Sequence, residues 1–485
     1  MEWTSGIEEL FVKLTDQIPF VFRPIVKPKL RKAAEKQAIG RNSGWVNEAD
    51  LISALFEITP NQFKPDCVDM VRKLGIDVLR YVGLNDIRAQ YKKSWEQFGE
   101  AFHPGNYHLT LYVTDRCNEQ CKHCAIELWK RDDLPIEDWI RIQDNLESGL
   151  RKQGRRGVYI YFGGEPTVRK DLRQLIAHAG KHGYFHALAT NGLLFNDDYA
   201  RFCADNGMSH VFISLDSADP EKAARIRGVK RAGELAKRAI DNAQRHGMLV
   251  VVNFVVMKQN IDEMEQMKEL IESWGAAPYM RSVIKTGTAA EHWPEVGLDA
   301  EENRRFYEFK YRHAVEAVRK GYVGTLPIFD IWDWTPFMEE PQSDVERTAL
   351  EWGVGCQSCR TISGVDVNGD FFPCYYPTQL KLGNLLTQSF EEIMESPTFR
   401  AIRDRTKHSG KCTSCHHLDM CGGGCGVHAE CETGDFFASV PYCWHEHEHH
   451  EETVAARPMA PAAALGNGGL LQIKLPASRR PHPAD

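Results

Sequence analysis

The sequence predicts an α/β fold built around a parallel sheet, and three observations carry that expectation. Apolar, β-branched runs recur at six places: His108 to Val113, Val158 to Phe162, His186 to Ala189, Val211 to Leu215, Val250 to Met257 and Tyr279 to Ile284. Amphipathic stretches of helical period separate several of them: Trp139–Leu150, Asp171–His182, Leu235–His246 and Met264–Trp274. Strands alternating with helices imply right-handed βαβ units. The third observation is positional. Cysteines, paired glycines and clustered polar residues follow the runs directly, at the carboxyl ends of strands, where parallel folds bind ligands.

In chain order, residues 1–85 read as a compact helical unit. Ser5-Gly6-Ile7-Glu8 has capping-box spacing ahead of Leu10, Phe11, Val12 and Leu14, and Pro19 and Pro24 break the chain afterwards. A second helix is expected across Pro28–Ala38, and a third starts at the N-cap candidate Asn47. No alternating strand pattern occurs here. Residues 86–104 read as a linker, 105–290 as the α/β core, and 291–350 as a helical bridge with one helix over Glu301–Val318. Trp332, Trp334 and Phe337 follow it as packing residues or cavity walls. A cysteine-rich domain spans 351–447. The segment 448–485 turns to Pro, Ala and Gly, and it reads as disordered. His445-Glu446-His447-Glu448-His449-His450 reads as a solvated mixed-charge run, with metal binding as the alternative.

Composition excludes several classes. The net charge of −8 and the lack of a long basic block leave no electrostatic footprint for nucleic acid. The longest apolar run, Leu249 to Met257, is far too short to cross a bilayer, and the first residues lack the basic and apolar regions of a signal peptide. A cytoplasmic location without membrane attachment is expected. Fourteen cysteines in a reducing compartment then argue for metal or cluster ligation rather than disulfides.

Two cysteine blocks carry the chemistry. The first is Cys117-Asn118-Glu119-Gln120-Cys121-Lys122-His123-Cys124, directly after the first strand. Three thiolates in one loop can hold three corners of an iron–sulfur cube and leave one iron without a local ligand, open to a small molecule. The same residues also suit a zinc site or three buried thiols. The second block holds eight thiols: Cys356, Cys359, Cys374, Cys412, Cys415, Cys421, Cys425 and Cys443. CxxC pairs of this kind also suit zinc ribbons. Around the first block, Gly163-Gly164-Glu165-Pro166 follows the second strand, Thr190-Asn191-Gly192 the third, and Ser214-Leu215-Asp216-Ser217 closes the fourth. Glycines there allow close backbone approach, and Glu165 offers an anion to an ammonium. Asn253, inside the fifth apolar run, needs a partner if buried.

The three-cysteine spacing, with the Gly163–Pro166 turn one strand later, resembles the radical S-adenosylmethionine (radical SAM) enzymes. The eight later thiols resemble the SPASM extension of that family. The resemblance implies a partial (β/α)6 barrel and three [4Fe–4S] clusters. Cys117, Cys121 and Cys124 would hold the SAM-binding cluster. Cys356, Cys359, Cys374 and Cys425 would hold one auxiliary cluster, and Cys412, Cys415, Cys421 and Cys443 the other. By the same resemblance Gly163, Gly164, Glu165 and Pro166 receive the methionyl end of SAM. Asn191 joins the cofactor-binding set, Ser214 and Asp216 meet the ribose hydroxyls or cap the next helix, His123 stacks on adenine, and Gly287 lets backbone meet that base.

The implied enzyme is a radical SAM oxidoreductase or maturase. It cleaves SAM reductively and abstracts hydrogen from a substrate C–H bond, with flavodoxin or ferredoxin as reductant. A ribosomal peptide or protein residue is the leading substrate class. Residues Trp3–Glu35 resemble a small helical domain of protochlorophyllide reductase, which keeps a tetrapyrrole side chain as the alternative. A non-catalytic electron-transfer or zinc-scaffold protein is the alternative from another class. No acid or base is fixed by the sequence; Tyr375 and Tyr376, beside Cys374, are candidates.

Overall fold

The computed structural model describes residues 1–3, 5–20, 22–40, 43–59, 67, 70–71, 73–76, 106–128, 131–319, 356–376, 378–415 and 418–443. The expected linker 86–104, residues 320–350 of the bridge with Trp332, Trp334 and Phe337, the run His445–His450 and the tail 448–485 lie outside the described residues. The chain divides into two compact units, one of residues 1–101, 114–122 and 160–281, the other of 102–113, 123–159 and 282–485.

The first unit begins with β1 (Glu2–Trp3), α1 (Ser5–Asp16), α2 (Arg23–Gly40), β2 (Trp45–Val46) and α3 (Glu48–Ile58). Asn47 caps α3 as expected: its side chain accepts from the Asp50 amide, and the Asp50 carboxylate accepts from the Asn47 amide, each at 2.9 Å. Pro24, expected to break the chain, instead lies in the first turn of α2, where a missing N–H costs nothing. The helix therefore starts five residues earlier than Pro28. The two-residue strands β1 and β2 pair in parallel, which no alternation announced. Phe11, Leu14, Leu30, Ala34, Leu51, Leu55 and Phe56 close a dry core. Each large side chain withdrawn from water there contributes roughly 1.5–3 kcal/mol. Leu249 packs against this core.

Further along run β3 (Tyr107–Thr114), α4 (Ile136–Lys152), β4 (Gly157–Gly163), α5 (Leu172–His182), β5 (Phe185–Thr190), α6 (Asp197–Asp205), β6 (His210–Ser214), α7 (Pro220–Arg227), α8 (Ala232–Arg245), β7 (Leu249–Val256), α9 (Met264–Ser273), β8 (Ala277–Ser282) and α10 (Ala300–Arg319). All six expected strands form. The first unit contains the order β5-β6-β7-β8, with β5–β6 and β6–β7 parallel and Ser214 registered against Asn253. Short, polar α6 and α7 were not visible in the hydrophobic pattern. Leu249 opens β7, so the helical core meets that strand at its amino end, opposite the end where ligands bind.

In the second unit the strands β9 (Ile362–Val365), β10 (Asp370–Phe372) and β11 (Gly383–Asn384) follow, in the order β11-β10-β9-β3. The β3–β9 pair is parallel and the other two pairs are antiparallel, so the cysteine-rich region extends a sheet rather than standing apart from one. Tyr107, fully buried at the head of β3, shares a 2.7 Å hydrogen bond with the Ser363 hydroxyl on β9. Arg155 stacks over its ring at 4.8 Å and donates to the Asn106 and Arg360 carbonyls at 3.1 and 2.9 Å. Helices α11 (Phe390–Met394), α12 (Pro397–Arg403) and α13 (Gly426–Thr433) complete the unit.

Candidate active site

The three-cysteine loop leaves β3 at Thr114, and the turn after β4 is latched to its start. Gly164 N–H donates to the Thr114 carbonyl and Glu165 N–H to the Arg116 carbonyl, both at 2.8 Å. The fit leaves no room for side chains. A Cβ on Gly163, whose φ is +139°, would lie 2.2 Å from the Thr114 oxygen, and one on Gly164 would lie 2.3 Å from the Arg116 oxygen. Pro166 opens a single 3₁₀ turn behind them.

Glu165 is 1% exposed and almost fully used. Its Oε1 accepts from the Thr167 amide at 3.1 Å, the Thr190 hydroxyl at 2.7 Å and the Thr167 hydroxyl. Its Oε2 accepts from the Asn191 amide at 2.7 Å. Burial raises its pKa, and the amide and hydroxyl donors oppose the rise. One lone-pair direction on Oε2 is left for an ammonium. The Asn191 side chain is bound twice: its Nδ2 donates to Asn118 Oδ1 at 2.7 Å and its Oδ1 accepts from the Leu193 amide at 3.1 Å. It ties the turn after β5 to the cysteine loop. Glu165→Gln would aim an amide N–H₂ at donors it now accepts from. We expect about 1–3 kcal/mol of lost stability, read by urea unfolding, and at least a tenfold weaker SAM Kd by equilibrium dialysis.

Sequence reasoning missed a buried charge triad beneath the loop. Arg227, at the end of α7, reaches Glu119 Oε2 at 3.2 Å through one guanidinium nitrogen and Asp216 Oδ2 at 2.5 Å through the other. Burial alone would lower the Arg227 pKa, but Asp216, the Cys121 thiol and Glu119 hold it well above its ordinary value. Cys121 donates weakly to Glu119 Oε2 at 3.5 Å and to the Arg227 carbonyl at 3.8 Å. Asp216 Oδ1 accepts from the Val255 amide at 2.9 Å. With no exposed surface and both oxygens engaged, Asp216 is an anchor and not the open ribose ligand expected of it. A carboxylate inside the thiol loop was the visible signal, but its partner lies 108 residues away. Two polar atoms at this strand end stay open. The Ser214 hydroxyl makes no hydrogen bond among the described residues, and Asn253 Oδ1, in register with it, is buried without a partner among them.

Within the second unit, His123 is buried and Cys124 is partly exposed. The Cys124 carbonyl accepts from the Ala289 amide at 3.0 Å. Gly287, expected to admit adenine, is instead closed on the chain after the third cysteine: its Cβ would lie 2.5 Å from Ala125.

The later thiols fall into groups that weigh on one another. Burial first, then Cys356 and Cys374, raises the Cys359 pKa well above its ordinary value. Cys421 is pushed up to about 12 by burial, with Cys443, Cys412 and Cys415 adding to it. Cys425 lies near Tyr375, the neighbour of Cys374. Cys356 N–H donates to the Cys421 carbonyl at 3.2 Å, tying the two groups together. Gly422, Gly423 and Gly424, all left-handed, form the arch between Cys421 and Cys425. Thiols that crowd one another resist ionisation, and bound iron offsets that cost. Among the described residues, no three His, Cys, Asp or Glu side chains are grouped as a metal-ion site. Burial first, then Tyr376, Cys425 and Tyr112, holds the Tyr375 phenol well above its ordinary pKa.

Two family descriptions match the chain in register with these features: the radical SAM superfamily over residues 111–271, and the SPASM iron–sulfur cluster-binding domain over 356–416. The chain carries a radical SAM domain and a SPASM domain. This radical SAM/SPASM protein is an enzyme, and its cofactors are SAM, a [4Fe–4S] cluster in the radical SAM domain and auxiliary iron–sulfur clusters in the SPASM domain. The donor set suits them: a loop of three thiols, a glycine turn against it, a spare Glu165 lone pair and the orphaned Asn253 oxygen. Mycofactocin maturase MftC of Mycolicibacterium smegmatis is 29% identical over 69% of this chain and 80% of its own length. PqqA peptide cyclase of Granulibacter bethesdensis is 28% identical over 72% and 90%. Fe-coproporphyrin III synthase of Methanosarcina barkeri is 27% identical over 68% and 86%. Among solved structures, anSMEcpe with bound AdoMet shares the fold with a TM-score of 0.52 at 16% identity, covering 69% of this chain and 93% of its own. Streptococcus suis SuiB bound to precursor peptide SuiA does so at 0.51 and 19%, covering 82% and 94%. Among the described residues no helix is long and apolar enough to cross a membrane.

Proposed function

We propose that this radical SAM/SPASM enzyme oxidatively modifies or crosslinks a residue of a peptide or protein. The reading rests on the likeness to PqqA peptide cyclase, which spans 72% of this chain and 90% of the relative. Cys117, Cys121 and Cys124 hold the SAM-binding cluster. Cys356, Cys359, Cys374 and Cys425 hold one auxiliary cluster, and Cys412, Cys415, Cys421 and Cys443 the other. When bound, these groups supply a primary carbon radical and a sink for the electron that the substrate gives up.

The chain's own residues do the positioning. The Gly163–Glu165 turn and Glu165 Oε2 receive the methionyl end of SAM, and Ser214 and Asn253 receive its polar nucleoside end. His123, in the cysteine loop, stacks on adenine. Tyr375 is a candidate donor near the auxiliary thiols. The reductant is a flavodoxin or ferredoxin.

Tetrapyrrole modification is the second reading, favoured by the likeness to Fe-coproporphyrin III synthase. The test is 5′-deoxyadenosine formation by the cluster-loaded enzyme with SAM and dithionite, with extract of the source cells fractionated by size. Stimulation that is lost on protease treatment supports the peptide reading. Protease-resistant stimulation, or stimulation by added Fe-coproporphyrin III, overturns it.

A further inference from the structure

The helical unit shows the solvent a face that its own fold leaves unexplained. On α2, Leu30, Ala34 and Ala38 point into the core. At 100° per residue, Phe22, Ile25, Lys29, Lys32 and Lys36 form a stripe on the opposite side. Phe20, in the turn before it, is 81% exposed, Ile25 57% and Phe22 52%. From Pro19 to Gly40 the sequence has six cations and a single carboxylate, Glu35, which accepts from the Trp3 indole at 3.1 Å. Arg23 and Lys27 face Asp16, Arg31 pairs with Glu8, and Lys36 with Glu57 at 3.2 Å. Lys29 and Lys32 are exposed and have no ion-pair partner among the described residues. An apolar end followed by unneutralised cations, without an acid on the stripe, is an unfilled half of an interface.

We propose that the exposed face of α2 docks an acidic polypeptide segment that has apolar side chains at one end and carboxylates at the other. The proposal deepens the peptide reading: this segment is a recognition stretch distinct from the residue that reacts. Three features select a polypeptide. From Phe22 to Lys36 the stripe runs about 21 Å at 1.5 Å per residue. That length suits six or seven extended residues at roughly 3.3 Å each and exceeds a small-molecule pocket. The order of the stripe, aromatics and then lysines, matches side chains presented in sequence. The helical unit also meets β7 at Leu249, at the amino end of the strand, whereas Asn253 lies roughly 13 Å further along it. A ligand on α2 reaches the strand ends only if it is a chain. A broad anionic membrane would face the whole protein's net charge of −8, whereas a short segment meets the local cations.

The test is fluorescence anisotropy with the full, cluster-loaded chain and a labelled dodecapeptide whose first half is rich in Leu and whose second half is rich in Glu. The comparison probes are its Leu–Gln counterpart and vesicles of phosphatidylserine and phosphatidylcholine. We expect saturable, salt-sensitive binding of the Leu–Glu peptide. It weakens at least tenfold in Lys29→Glu/Lys32→Glu and in Phe20→Ser/Phe22→Ser, while cluster absorbance and basal SAM cleavage stay unchanged. Equal binding of the Leu–Gln peptide, no change in either double variant, or vesicle binding in place of peptide binding overturns the proposal. Its fate separates from that of the parent reading. A protease-sensitive substrate whose KM is unmoved by Lys29→Glu/Lys32→Glu sinks the docking face alone. Turnover of Fe-coproporphyrin III, with peptide still bound at α2, sinks the substrate reading alone.

Discussion

Alanine in place of Cys117, Cys121 or Cys124 is expected to abolish 5′-deoxyadenosine formation, with iron per chain falling by about a third. Each of the three thiolates would carry one corner of the cube, and the fourth iron is the one left for SAM, so no local residue can substitute for a lost ligand. Loss of groups that merely support a metal ligand typically costs 10- to 100-fold. Loss of a ligand itself should exceed 10³-fold by that scale. Cys412→Ala is the contrast: it would remove a proposed auxiliary ligand and should leave uncoupled SAM cleavage measurable. Anaerobic chromatography of the nucleoside, with iron and zinc analysis of the same samples, reads both. Zinc in place of iron at the first loop would sink the cluster assignment. Loss of cleavage in folded Cys412→Ala would sink the division of labour between the clusters.

Arg227→Met is expected to destabilise the first unit by about 3–5 kcal/mol, because it strands two buried carboxylates. Glu119 and Asp216 are 3% and 0% exposed, and no described cation other than Arg227 bridges them. The substitution keeps much of the side-chain volume, so the loss reports charge rather than a cavity. Adding Glu119→Gln to Arg227→Met should restore part of the stability by removing one of the stranded charges. Urea unfolding followed by tryptophan fluorescence would show the midpoint falling in the single variant and recovering in the double. A shift below roughly 1 kcal/mol, the scale of an exposed ion pair, would mean that the triad does not hold the loop.

The parts of this molecule that were legible in the sequence are those whose cause is local. Strands of a parallel sheet are buried on both faces and read as apolar runs, so all six expected strands occur, the first extended by one residue at each end as Tyr107–Thr114. Thiol spacing is local as well: Cys356 and Cys374 weigh on Cys359, and Cys443, Cys412 and Cys415 on Cys421. Long-range pairing was not legible. Nothing near Glu119 points to Arg227, and the Ser–x–Asp pattern at the end of β6 looked like a ligand pair until Asp216 proved committed to Arg227. Strands β9 to β11 were hidden for a related reason: they are short and include Gly364, a residue present because the Cys374 carbonyl would lie 2.6 Å from its Cβ. Pro24 was misread because proline stops a helix from within but is welcome in its first turn.

The latch between Gly164, Glu165 and the carbonyls of Thr114 and Arg116, with the Asn118–Asn191 clasp, has a thermodynamic consequence. Those bonds hold the entrance of the cysteine loop through backbone and amide groups alone, none of which is a thiol. The conformational entropy of ordering that segment is therefore spent when the chain folds and not when metal arrives. Small zinc modules behave in the opposite way, since their folding free energy is their metal-binding free energy. Stripping and restoring iron at the first loop is therefore expected to leave this part of the scaffold in place.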